Sequence, residues 1–403
     1  MSSSHLAHAN YDPLNPAVRA DPYPFYAHLR AHAPVSYIPS VGAWAVTRHA
    51  DVRQLLLDHA GYSSDPLIRI AFGEFNPAPT SRYLIASDPP DHTRLRTLVN
   101  KAFSRRYVQE LKGEIAATIQ RLLDDLDGRD EFDFSAEFAA PLPVSVVANI
   151  LGVEPAMHAA FRRWSNNVTA GGNDQALSAE QRTLMRQDAD DFRGYFLDRI
   201  EYARRHPQAN LISALVHAEE AGEKLSADEV LALAVLLLIA GNETTTNLLS
   251  NAVITLGQFP AQAALARRDR ELIPALTDES LRYLSPVQLL FRRATQASVI
   301  HGVEIPRDAI VMPIFASANR DERAFKNPDQ LDICRTDLRQ QLAFSWGIHL
   351  CVGKALANLE GELALNALFD RYGNLDVNTP HIEWCEAFYL RGPKALPVRV
   401  RRA

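Results

Sequence analysis

Cys351 lies in the run Phe344-Ser345-Trp346-Gly347-Ile348-His349-Leu350-Cys351-Val352-Gly353-Lys354-Ala355. Its surroundings suit metal ligation. A Gly-containing turn precedes it, and Val352, Leu356, Leu359 and Leu363 follow at helical spacing. A cysteine at a helix N-terminus meets unpaired backbone N–H groups and the positive end of the helix dipole. Both favour the thiolate, which is the form that binds metals. Gly347 permits the turn, and Gly353 has no side chain, so a large flat ligand can lie against this backbone. A cationic His349 can meet an acidic group at the edge of that ligand.

Two further groupings carry chemistry. Residues 240–245 read Ala-Gly-Asn-Glu-Thr-Thr and interrupt an apolar helical stretch that begins after Ser226. A carboxylate in such a stretch is costly without a purpose or a partner. Gly241 weakens the helix, and a threonine hydroxyl can bond the carbonyl one turn back, so a groove is expected here. In 88–96, Asp88 reads as a helix cap followed by proline at the first helical position. His92 and Arg96 then fall four apart on one face, where they can hold carboxylates. Glu279 and Arg282, three apart, can pair on a helix.

Together these segments resemble the cytochrome P450 family of haem-thiolate monooxygenases, over most of the chain, roughly 21–400. The 344–353 run fits that family's haem-binding loop, with Ser345 as the less common choice at its position. The resemblance implies a mainly α (α+β) fold: one domain over 1–403, with small β-sheets around a buried haem b and a flexible segment over 1–20. Cys351 is then the iron ligand. Phe344, Gly353, Ala240 and Gly241 lie against the haem, and His92, Arg96, Arg292 and His349 bind its propionates, Arg293 being the competitor of Arg292. Thr244 hydrogen-bonds bound O2, and Glu243 relays protons. Glu279, Arg282 and a possible third member, Arg335, are structural.

The resemblance also implies oxygen insertion, by hydroxylation or epoxidation. Electrons come from NAD(P)H through a ferredoxin or flavodoxin, docked on a basic face of Lys101, Arg105, Arg106, Arg339 and Lys354. A peroxide-driven haem-thiolate enzyme and a non-catalytic haem-binding sensor are the alternatives. The substrate wall is expected from Leu67, Ile68, Phe72, Leu236, Leu237, Ala240, Val287, Leu289, Leu290 and Phe388, with Tyr389 beside it. Most are apolar, so the substrate is expected to be lipophilic and fairly bulky: a secondary metabolite such as a polyketide or macrolide, a terpenoid or a fatty acid. A flexible stretch at 170–174 reads as the hinge of a lid.

The 403 residues are 47% apolar with a net charge of −6 and without long Lys/Arg runs, which argues against nucleic-acid binding. The N-terminus lacks the pattern of a secretion signal, and the apolar run at 230–240 is short for a bilayer. A soluble, cytoplasmic, monomeric protein is expected. The three cysteines show no metal-site spacing, so Cys334 and Cys385 read as packing residues.

The positioning elements follow from local patterns. Helices are expected near Tyr23–His32 and along Val108, Leu111, Ile115, Ile119, Leu122 and Leu126. Ser178 with Gln181, and Ser226 with Glu229, are capping boxes opening long helices. Residues 35–38 and 43–47 read as a hairpin, and later strands are expected at 299–305, 310–313 and 396–400.

Overall fold

A computed structural model describes residues 11–68, 75–170, 177–377 and 381–402. Both capping boxes form. In each, the serine hydroxyl takes the N–H three residues on, and that residue's side chain returns to the serine N–H. They open the helices Ala179–Arg205 and Ala227–Gln258. The second, hereafter the central helix, has Val230 to Val235 at 5% exposure or less. It packs against Pro141–Leu151, His158–Ala170, Ala179–Arg205, Ile273–Tyr283 and Lys354–Arg371. Side chains apolar on all sides suit a helix enclosed by others.

The apolar run thus continues as a 32-residue helix, long and apolar enough by length and composition to cross a membrane. Helices surrounding it account for that composition. It is assigned as one continuous helix through Gly241.

Strands Val35–Ile38 and Ala43–Val46 form the expected hairpin. They continue into a five-stranded sheet through Ile310–Pro313, Arg292–Ala294 and Tyr62–Ser63, in that order. The 299–305 segment is a hairpin, Ser298–Ile300 with Val303–Ile305, turned at His301 and Gly302 with positive φ. The last strand, Pro397–Arg402, joins Tyr372–Val377 and Glu131–Asp133. The expected helix through Leu111 is two, Arg105–Glu110 and Lys112–Asp124. Residues 11–20 are tied down: Tyr11 and Val18 are buried, and Asn15 caps the helix Pro16–Ala20. Cys334 is exposed, contrary to its reading as packing.

Glu279 and Arg282 sit at 0% exposure on the helix Ile273–Tyr283. Arg282 Nε and Nη2 each donate at 2.7 Å, one to each Glu279 oxygen. Arg335 Nε reaches Glu279 Oε1 at 3.2 Å, and the Asp332 N–H reaches it at 2.9 Å. The remaining Arg282 donors take the carbonyls of Asn319, Pro328 and Gln330 at 2.8–3.0 Å. A planar fork can do this, and a lysine ammonium cannot. Arg282→Lys is therefore expected to destabilise by about 3–5 kcal/mol, because it leaves Glu279 buried without its bidentate partner. Denaturant unfolding checks this, and an unchanged midpoint would contradict it.

Candidate active site

The Cys351 loop is shaped by two left-handed residues. Ser345 has φ +63° and Gly347 has φ +69°. At Gly347 a Cβ would stand 2.7 Å from the Leu56 carbonyl oxygen, so space as well as conformation requires glycine. The Cys351 N–H closes the loop on the Phe344 carbonyl at 3.0 Å. The following helix, Lys354–Arg371, has Gly353 as its cap, so Cys351 lies before the helix rather than in its first turn.

Cys351 is exposed, yet burial pushes its thiol up from the ordinary value. The two observations agree if the sulfur lines an internal cavity, open to a small probe but deep in protein. Backbone N–H groups of Gly353 and Lys354, and the charges of Arg96 and Lys354, pull the other way. In the protein alone desolvation wins, so the N–H groups do not by themselves produce the expected thiolate. A cation at the sulfur would add the missing attraction.

The central helix borders an opening as well. Ala240 is exposed, and Leu236, Leu237, Gly241, Glu243 and Thr244 are half-buried, in a helix otherwise packed into the core. Val352 and Ala355 join the apolar cluster that holds Leu236 and Leu237. The Thr244 hydroxyl bonds back to the Ala240 carbonyl, as expected. The absent side chain of Gly241 would point at Val147, 3.2 Å away, so helix packing explains that glycine. Burial raises the Glu243 carboxyl, and its charge is felt at Tyr389 and Cys385.

Four basic side chains meet on the other side of Cys351. His92 and Arg96 come from the helix Asp91–Ala102, Arg292 from its strand and His349 from the loop. The His92 and His349 ring centres are 4.3 Å apart. His349 Nε2 and Ser64 Oγ are 3.0 Å apart. Burial, then Arg292, His92 and Arg96, press His349 down to about 2 in the protein alone. Burial lowers Arg292 to about 10 and also lowers Arg96 and His92. Arg292 is buried and bonds only a carbonyl, that of Phe291, while Arg293 turns outward to Asp65 and Asp308. His92 Nε2 has no partner. Asp88 is felt by Arg292 and His92, but its carboxylate is taken by Ser63 and the Ser64 N–H. It does not cap the helix, which starts after Pro90. Depressed basic groups and an orphaned imidazole nitrogen fit a buried dianion, and an accessible sulfur beside them fits a metal. Haem, with iron and two propionates, satisfies both.

The expected wall residues divide. Leu289 is 0% exposed and belongs to the core, which corrects its reading as wall. Leu67 is nearly closed off at 6%. Ile68, Leu236, Leu237, Val287, Leu290 and Phe388 keep open surface. Phe72 and the 171–174 part of the lid hinge lie outside the described residues. The reading missed Ser64, which meets His349, and Glu360, fully enclosed with its carboxyl raised to about 8. No motif spacing marks Ser64. An acid among the buried positions of the Lys354–Arg371 helix could have signalled Glu360.

Comparison with known proteins gives a consistent result. The family model described as Cytochrome P450 matches residues 175–380. "Cytochrome P450 107B1" of Saccharopolyspora erythraea is 38% identical over 93% of this chain and 94% of its own. The "6-deoxyerythronolide B hydroxylase" of the same organism is 36% identical over 94% and 96%. The solved structure of cytochrome P450 CYP109Q5 from Chondromyces apiculatus superposes with a TM-score of 0.91 at 38% identity, covering 98% of each chain.

Positive φ at a non-glycine residue costs about 1 kcal/mol, and the Ser345 hydroxyl is buried without a partner. Ser345→Gly is expected to stabilise by about 1 kcal/mol, whereas Gly347→Ala, driven into the Leu56 carbonyl, should destabilise. Thermal unfolding of both variants checks the opposite signs.

Proposed function

The chain belongs to the cytochrome P450 family, and from that premise we propose that it inserts one oxygen atom of O2 into a bulky lipophilic small molecule. It is a monooxygenase, and the finer reading is hydroxylation or epoxidation of a macrolide- or polyketide-like compound, a terpenoid or a fatty acid. One observation carries it: an exposed cysteine whose thiol is nevertheless shifted by burial, beside four basic side chains without a carboxylate hydrogen-bond partner among the described residues. A relative named for hydroxylating 6-deoxyerythronolide B supports the macrolide end of that range.

Cys351 would ligate the haem iron through its sulfur, and Arg96, Arg292, His92 and His349 would hold the propionates. When bound, haem with a thiolate ligand supplies O2 activation and C–H oxidation. Propionate charge would reverse the repulsion that keeps His349 neutral in the bare protein. Phe344, Gly353, Ala240 and Gly241 would line the haem. Thr244 holds a hydroxyl at the cavity face, paired with the Ala240 carbonyl until a better acceptor arrives. Glu243 is the proton store behind it: its raised carboxyl retains a proton to higher pH than an exposed glutamate does. Ile68, Leu236, Leu237, Val287, Leu290 and Phe388 exclude water and position the substrate.

Electrons come from NAD(P)H through a ferredoxin or flavodoxin. In the expected basic face, Lys101 is paired with Glu220 and Arg106 with Glu110. Among the described residues Arg105 and Arg339 are exposed without such partners, and they carry the docking role.

Reduced protein with carbon monoxide is expected to give the thiolate-type absorption band, and Cys351→Ala to abolish it; a band in the variant would remove Cys351 from its role. Lipophilic macrolides, terpenoids or fatty acids should shift the haem band to its high-spin position, and the responding class names the substrate. With a substrate so found, Thr244→Ala should keep NAD(P)H consumption but lower product formed per NAD(P)H about tenfold, or about 1.4 kcal/mol of selectivity. Unchanged coupling would overturn the role of Thr244.

A further inference from the structure

We propose that Asn251 is a positioning residue that sets the depth of the substrate pocket, by hanging two wall segments on the helix that carries Glu243 and Thr244. The proposal rests on the haem-thiolate reading.

Asn251 is 0% exposed. Its Nδ2 donates to the Leu284 carbonyl at 3.0 Å and to the Arg391 carbonyl at 2.9 Å. Leu284 leads into the segment with Val287 and Leu290, and Arg391 follows Phe388 and Tyr389. The two segments are also joined to each other. The Gln288 N–H donates to the Tyr389 carbonyl at 2.9 Å, and the Arg391 N–H to the Pro286 carbonyl at 2.7 Å. They therefore form one body, hydrogen-bonded to the central helix through the Asn251 amide.

The attachment is close-packed. Glu243, Asn247 and Asn251 are four apart and share one face of the helix. One turn before Asn251, Gly392 lies against Asn247: a Cβ there would come 1.7 Å from Asn247 Oδ1. Only glycine lets the C-terminal segment approach this far. From behind, the Arg391 guanidinium donates to the Arg19 and Ala20 carbonyls and stacks 3.6 Å over the Trp384 ring centre.

Stability alone does not explain the amides. Asn251 Oδ1 and Asn247 Nδ2 are buried without partners, a cost that a better-matched pair would avoid. What Asn251 does supply is two donors in a fixed fork, which fixes the distance between the Glu243–Thr244 face and the opposite wall.

The test needs no substrate. Haem-loaded protein is titrated with imidazole, too small to touch the wall, and with phenylimidazole, whose ring must fit inside it. The variants are Asn251→Ala, Gly392→Ala and the double variant Asn247→Ala/Gly392→Ala. All should keep the thiolate-type carbon monoxide band and bind imidazole as the unmodified protein does. Asn251→Ala and Gly392→Ala should change phenylimidazole affinity about tenfold. The double variant should restore it, because removing the Asn247 side chain makes room for the new methyl. Equal changes for both ligands, no change for phenylimidazole, or no restoration would overturn the proposal. Should Asn251→Ala not fold, the Gly392 pair decides alone. An unmodified protein lacking the thiolate band would overturn the underlying reading and this proposal with it, whereas a normal band with unsplit affinities overturns this proposal alone.

Discussion

A carboxylate at 0% exposure, Glu279, is the constraint on which much of the structure depends. Burying it is tolerable only because Arg282, Arg335 and the Asp332 N–H together saturate its oxygens. That requirement fixes the helix Ile273–Tyr283 against the irregular segment 319–335, which has little regular structure of its own. Arg282 also takes the Asn319 carbonyl, and the Asn319 side chain receives the Leu342 N–H at 2.7 Å and donates to Ser285 Oγ at 3.0 Å. Leu342 is two residues before Phe344, where the cysteine loop begins. Ser285 opens the segment that carries Val287 and Leu290. A charge network far from any substrate thus sets the positions of both the ligand loop and one pocket wall.

Around Cys351 the protein sets opposing effects against each other and leaves the balance to what it binds. Backbone N–H groups and cations favour the thiolate and burial disfavours it, with burial the largest effect in the protein alone. The basic cluster shows the mirror image: burial lowers all four basic groups, neighbouring cations add to it at His349 and His92, and an anion would act the other way. Each half is poor in isolation, and each is relieved by the opposite charge of the same ligand.

The sequence was most informative where one local rule settles the outcome. Both capping boxes, the first hairpin and the Glu279–Arg282 pair appear where patterning put them, because each depends on residues within a few positions. Roles that depend on three-dimensional balance were less legible. His349 was read as a cation meeting an acidic ligand group, and no local pattern shows that burial, then Arg292, His92 and Arg96, press it down in the protein alone. Asp88 had the composition of a cap, but Ser63 and Ser64, brought from 24 or more residues away, compete for its carboxylate. Leu289 and Leu290 are indistinguishable by type, and which one faces the opening depends on the backbone path. Arg292 and Arg293 are separated in the same way, since alternation along a strand sends one in and the other out to Asp65.

The central helix shows why so much of the site rests on one element. At 100° per residue, positions four apart stay nearly aligned while neighbours diverge. Ala240 and Thr244 thus keep to the cavity, and Glu243, Asn247 and Asn251 turn to the C-terminal segment. Leu248 faces a third neighbour, close to Gly361 of the helix behind the cysteine loop. A loop could carry the same residues, but each would move independently. On a helix enclosed on all sides, the hydroxyl, the acid and the anchor of the far wall keep their relative positions through shared backbone hydrogen bonds. A groove opened by breaking the helix at Gly241 would have loosened that register. Ala240 is exposed on the cavity face, and the helix is continuous from Ala227 to Gln258.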